Sequence, residues 1–269
     1  MRTRIPLVVL VLVLVLLGVP LAIAQTPEER GLAIALEADR RDTGFGDSSA
    51  DVLMILEDRR GEERTRELTA EVIEVENDGD KSLLVFESPP DVRGTAMLTF
   101  AHEQDSDDQW LYLPALKRVK RISASNRTGP FMGSEFAYED LAGDEVEKYT
   151  YQWLRDEPCP GEEGASRTCF VVERRAKDED SGYSRQVVWI DQDEYRTIQI
   201  DYFDRSGSRL KTLSLADYRQ YLERFWRPLQ MLMVSHRTGR RTRLEWSSFE
   251  FRTGLTANDF TPQSLTRIR

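Results

Sequence analysis

The residue types able to do chemistry are few in this 269-residue chain. It holds two histidines, His102 and His236, and two cysteines, Cys159 and Cys169. Neither histidine has another His, a Cys or a carboxylate at metal-ligand spacing, so both read as solvated or hydrogen-bonded side chains. No GxSxG, HExxH or P-loop motif occurs. The acidic turns "DSDD" (105–108), "DEDSG" (178–182) and "DQDE" (191–194) lack the alternating acids, central Gly and terminal Glu of a calcium loop, and read as solvated turns. "NRT" at Asn126–Thr128 matches a glycosylation tripeptide that is common by chance. The sequence therefore supports no catalytic residue, no metal site and no cofactor, and the expectation is a non-enzyme. The cysteines flank the Pro/Gly/Ser segment "PGEEGASRT". In an oxidising compartment such a pair reads as a disulfide closing a hairpin.

One cluster remains. In "WLYLPALKRVKRIS" (Trp110–Ser123), Lys117, Arg118, Lys120 and Arg121 follow Trp110 and Tyr112 across Pro114. A nucleic-acid patch is disfavoured, because the chain carries a net charge of −10 and phosphate attraction dominates such binding. A three-residue turn at Pro114–Leu116 predicts the pairs Leu113 with Lys117, Tyr112 with Arg118, Leu111 with Val119, and Trp110 with Lys120. Trp110, Tyr112, Arg118 and Lys120 would then share one face as a cation–π ladder. A two-residue turn would swap the faces. The alternative is a solvated basic edge strand that resists edge-to-edge pairing.

The elements that must position this hairpin follow from the rest of the chain. Arg2 and Arg4, the apolar run Leu7–Leu17, and "AIA" at Ala22–Ala24 read as a signal peptide (residues 1–24) cleaved before Gln25. That run is too short to span roughly 30 Å of hydrocarbon as a helix. Residues 25–269 read as one domain outside the cytoplasm. "TPEERGLAIALEADRRD" opens with a capping box, Thr26 with Glu29, and Pro27 at the first helical position. Its narrow apolar stripe is Leu32, Ala35, Leu36 and Asp39.

Period-two patterns then run to the end, with turn signals between them. Val92–His102 reads as one such strand, and a shift of apolar parity at Val72-Ile73 suggests a bulge. The exception is "SASNRTGPFMGSEFAYEDLAGDEVEKY", a long Gly/Ser/Pro segment with Phe131, Met132, Phe136 and Tyr138 and room for a short helix near Tyr138–Asp144. Loops of that length are uncommon unless functional, and these aromatic and apolar residues fit a lid. One antiparallel sheet, curved into a sandwich or barrel, is the simplest reading.

The block "VRGTAMLTF…DDQWLYLPALKRVKRISASNRTGPFMGSEFAYEDL" (Val92–Leu141) resembles the outer-membrane lipoprotein-sorting proteins of the LolA-like superfamily. Weaker agreement extends to "NDFTPQSL" (Asn258–Leu265). The resemblance implies a mainly β (α+β) fold, in which one curved antiparallel sheet forms an incomplete barrel with helices and a loop over its mouth. It also implies a monomeric periplasmic carrier of lipid or lipoprotein acyl chains, making transient membrane contact. Many members of this branch look linked to RND/MMPL-type inner-membrane transporters.

The signature residues here are Gly94, Thr95, Trp110, Tyr112, Pro114, Arg118, Arg121, Ser134, Phe136, Tyr138, Asp140 and Leu141. The chain is longer than the founding carriers, and the arginine they use in cargo release has no aligned counterpart, so no binding residue carries over from them. Apolar sets offered for the cavity are Ala96, Leu98 and Phe100; Ile198, Ile200 and Tyr202; and Leu229, Met231 and Met233, whose methionines suit irregular cargo. Cargo or partner contacts are expected at Trp110, Tyr112, Arg118, Lys120, Arg121, Phe131, Met132, Phe136 and Tyr138. A regulatory sensor on the same fold is the second reading, and an envelope hydrolase the last.

Overall fold

A computed structural model describes residues 25–161 and 166–268; the signal-peptide reading of residues 1–24 lies outside them. Helix α1 (Pro27–Asp42) precedes β1 (Asp47–Glu57), β2 (Glu63–Ile73), β3 (Lys81–Ser88), β4 (Ala96–Phe100), β5 (Asp108–Leu113) and β6 (Arg118–Arg121). A long connection then leads to β7 (Tyr149–Pro158), β8 (Thr168–Ala176), β9 (Tyr183–Asp191), β10 (Thr197–Asp204), β11 (Arg209–Tyr221), β12 (Phe225–Ser235) and β13 (Arg241–Phe251).

The thirteen strands form one antiparallel sheet in the order β6-β5-β4-β3-β2-β1-β13-β12-β11-β10-β9-β8-β7. Pairing of β1 with β13 rolls the two meanders together. The free edges are β6 and β7, so the barrel is cut between two strands adjacent in sequence. Residues 122–148, which join them, run along the opening. The expected disulfide is present: Cys159 and Cys169 lie 5.0 Å apart at their Cα atoms and tie the ends of β7 and β8.

Helix α1 carries the expected cap. The Glu29 amide donates to Thr26 Oγ1 (3.1 Å) and the Thr26 amide to Glu29 Oε2 (2.9 Å). Its buried face differs from the expected one, because it is Gly31, Ile34 and Ala35 that face the sheet, while Leu32 and Leu36 stay 43% and 46% exposed. The cause is Gly31, which lets the helix backbone press onto β7. A Cβ there would stand 2.7 Å from the Trp153 amide nitrogen, and the rest of the face rotates to follow.

Two apolar clusters lie on opposite faces of the sheet. The larger fills the concave side and includes Phe86, Met97, Leu111, Phe131, Val188 and Met233. The smaller lies on the convex side of β3–β6, under Phe260 and Leu265 of the C-terminal segment. This two-sided burial corrects three expectations. Ala96, Leu98 and Phe100 face the C-terminal segment, not a cargo cavity. No bulge occurs at Val72-Ile73, where pairing with β1 and β3 is continuous; Ile73 is apolar because it packs on the convex cluster. The predicted strand Val92–His102 shortens to Ala96–Phe100 because Gly94 takes a left-handed conformation (φ 74°), and its amide caps Phe86 O at 2.7 Å.

Candidate functional site

The β5–β6 hairpin turns through four residues. Pro114–Leu116 form one 3-10 turn, and Lys117 closes it in the left-handed region (φ 49°). The register is therefore Trp110 with Arg121, Leu111 with Lys120, Tyr112 with Val119, and Leu113 with Arg118. This is one residue away from the expected pairing, and such a slip moves every side chain to the other face. The cation–π ladder does not form. Tyr112 is buried on the convex cluster, Trp110 packs edge-on to Phe100 at 4.9 Å, and Arg118 and Lys120 stand exposed on the other face. Arg121 pairs with Asp108.

The aromatic segment is a plug, not a flap. Phe131 is 0% exposed, and its ring lies 5.8 Å from that of Phe86 and 5.6 Å from that of Tyr138. Phe136 is buried, and Met132 packs against the concave core. Instead of the expected helix, the chain turns in short 3-10 segments, one of them Tyr138–Leu141. Polar bonds hold it at several points. Arg66 donates to Met132 O (2.6 Å), Gln109 Nε2 to Tyr138 O (2.9 Å), and the Glu135 amide to Thr242 Oγ1 (3.0 Å). Asp140 is the centre: it pairs with Lys211 and accepts from Tyr183 Oη and the Ala137 amide, both at 2.6 Å. Burial and the neighbouring Asp140 push the Tyr183 phenol well above its usual range. Lys211, Tyr183 and Thr242 lie far from the signature block in sequence, so only Asp140 was legible in advance.

The other end of the concave face is hollow. A cavity of about 760 Å³ lies between α1 and the sheet, with Ala35, Val172, Val188, Ile190, Leu215 and Met231 among its apolar lining. That volume falls within the roughly 300–1,000 Å³ of small-molecule sites. Its rim is polar, but the arginines there are already committed. Arg174 bonds Asp144 (2.6 Å), Arg196 bonds Asp191 (2.7 Å), Arg227 bonds Asp42, and Arg224 donates to Arg40 O and Thr43 O (3.0 and 2.7 Å). The Trp246 indole N–H in the wall has no acceptor. Asp80 has no cation within ion-pair distance among the described residues, and burial with Glu74 nearby pushes its carboxyl up to about 7. None of the nine expected contact residues lines this cavity. Met231 was expected there and is present, while Met233 is fully buried in the core behind it.

Both histidines are hydrogen-bonded. His102 Nδ1 bonds Asp78 (2.9 Å). His236 Nε2 reaches Thr212 Oγ1 (2.8 Å), but that hydroxyl donates to Asp201 (2.8 Å) and accepts from Arg209. The carboxylate thus orients the hydroxyl and not the imidazole, the reverse of the order a triad needs. No three His, Cys, Asp or Glu side chains among the described residues could hold a metal ion.

Comparison with known proteins agrees with this geometry. A family model described as an uncharacterized protein matches residues 78–267. A solved domain from Vibrio parahaemolyticus, described as an outer membrane lipoprotein-sorting protein, is 50% identical over 89% of this chain and 100% of its own, with a TM-score of 0.86. The chain belongs to the LolA-like lipoprotein-sorting family. A DUF1329 family protein from Desulfovibrio piger is 30% identical over 90% of this LolA-like chain and 100% of its own, with a TM-score of 0.83. A LolA superfamily protein from Nitrosomonas europaea, 22% identical over 88% and 98% of the two chains, shares the fold at a TM-score of 0.67. No curated protein matches. No helix among the described residues of the LolA-like chain is long and apolar enough to cross a membrane.

Proposed function

We propose that this protein is a periplasmic carrier that holds the acyl or other apolar part of a lipid or lipidated protein in the cavity beneath α1. The observation that carries the reading is the cavity itself. It is large, has aliphatic and aromatic side chains on the sheet below a charged rim, and is roofed by a helix whose anchors lie at the solvent boundary. The 50% identical domain described as lipoprotein-sorting supports the same reading. An inner-membrane transporter of the RND/MMPL type as donor, and action as a monomer, follow from the family resemblance alone and belong to the proposal.

Mass spectrometry of lipid extracted from natively purified protein tests it, together with titration of the delipidated protein with a fluorescent acyl probe. Co-purifying lipid and saturable binding are expected. Enlarging Val188 to Trp should lower the amount bound while the plug end stays folded. A delipidated protein with no affinity for any acyl or terpenoid lipid would end the carrier reading.

A further inference from the structure

We propose that the β5–β6 corner docks the protein on an anionic lipid surface, with Leu116 as the residue that enters the bilayer interface. Leu116 is 66% exposed, the most exposed large apolar side chain among the described residues. Pro114, with its restricted φ, and the left-handed Lys117 define the turn on either side of it. Pro114 is also seated against the next turn, where a Cβ built on Gly94 would lie 3.7 Å from its ring.

Around this tip stand Lys117, Arg118 and Lys120, all exposed and none within 4.0 Å of a carboxylate among the described residues. Arg93 of the neighbouring turn is exposed too, with its Nε on Glu87 O (2.7 Å). The acids nearby are Glu87 at the end of β3, Asp91 on that turn, and Asp108, which is already taken by Arg121. A local excess of unpaired cations in a chain of net charge −10 is not a product of composition.

Protection of the free β6 edge by charge accounts for Arg118 and Lys120. It does not account for an apolar tip at the turn. A protein partner would call for a contiguous apolar contact core, and Leu116 projects alone. A single apolar tip ringed by long cationic side chains matches the membrane interface, where the tip reaches the acyl boundary and Lys and Arg stay at the headgroups. The corner also lies away from the cavity rim. Asp80 precedes Lys81, which pairs with Phe100 and through it with Asp108, at the far end of β5 from Leu113 and the turn. Docking and cargo binding are thus separate surfaces.

Co-sedimentation of the full mature chain with vesicles tests the proposal, using phosphatidylethanolamine with phosphatidylglycerol against phosphatidylcholine alone. Binding is expected to the anionic vesicles only, with release as salt rises. Each cation removed from Lys117 and Arg118 by change to Gln should weaken binding roughly fivefold, and Leu116→Ser roughly tenfold. Thermal midpoints of these surface variants should match the parent, which shows that the corner still folds. Equal binding of both vesicle types, no binding to either, or anionic binding unmoved by Leu116→Ser would each overturn the proposal. Displacement from vesicles by an acidic polypeptide, with Leu116→Ser neutral, would identify a protein-facing patch instead.

Discussion

At the plugged end of the concave face, Asp140 meets Lys211, Tyr183 and the Ala137 amide in a site where the ion pair is almost fully buried. At the roofed end, α1 is held by Arg30 on Asp156 (2.9 Å) and over the Trp153 ring (3.8 Å), and by Arg227 on Asp42. Asp156 and Asp42 are both exposed. The two covers therefore differ in kind. A buried charge whose partner is removed costs about 3–5 kcal/mol, whereas an exposed pair contributes about 0–1 kcal/mol. The aromatic loop, which resembles a lid in composition, is buried and bonded at several points. Helix α1 buries Gly31, Ile34 and Ala35 and has charged anchors at the solvent boundary over a hollow.

The largest effect should come from breaking the plug. Asp140→Ala leaves the buried Lys211 without its carboxylate, with Glu135 O (3.2 Å) as its remaining acceptor, and should lower unfolding free energy by about 3–5 kcal/mol, read from the urea midpoint. Adding Lys211→Met should recover part of that loss. A single-variant loss like that of a surface pair would erase the contrast between the ends.

Next comes the seat of the roof. Gly31→Val would drive a side chain into the Gln152–Trp153 backbone and cost about 1–3 kcal/mol through overpacking. It should also speed exchange of a bound fluorescent lipid, measured by stopped flow. Faster exchange in Asp140→Ala but not in Gly31→Val would make the plug the moving cover.

The pH dependence is smaller. The Asp80 carboxyl, ordinarily near 4, is raised to about 7 by burial, so the folded state holds its proton where the unfolded chain has lost it. Its contribution is full below pH 4 and is lost as pH rises to about 7. Compared with Asp80→Asn, the parent should lose about 2 kcal/mol across that window, half of the roughly 4 that the whole shift represents, since the group is partly solvated. Parallel stability curves for the two proteins would show Asp80 to be ordinarily acidic. The smallest effect belongs to the roof's more exposed pair, Arg30 with Asp156: Asp156→Ala should cost no more than about 1 kcal/mol in the same urea experiment.

The legible parts of the fold were those with local causes. The Thr26–Glu29 box, the disulfide across a short loop, and most strands follow from residues near one another in sequence. Parity misled where both faces of a strand are covered. Ile73 and the Ala96–Leu98–Phe100 row are apolar because the distant C-terminal segment with Phe260 and Leu265 returns to cover them. The β5–β6 register failed for a subtler reason: no pattern in "PALKR" shows that Lys117, a residue with a Cβ, will adopt a left-handed conformation.

The sequence by itself determined an antiparallel β protein with a capped N-terminal helix and a signature block at Val92–Leu141, because periodicity, capping and turn chemistry act over a few residues. Only the tertiary structure decided what that block does. Residues 122–148 join two edges that lie apart, so they must cross the opening. What pins them there is Lys211 on β11 and Tyr183 on β9, and the hollow beneath α1 lies at the other end of the concave face. Those choices depend on long-range packing and on the desolvation of a charge pair, which no local pattern encodes.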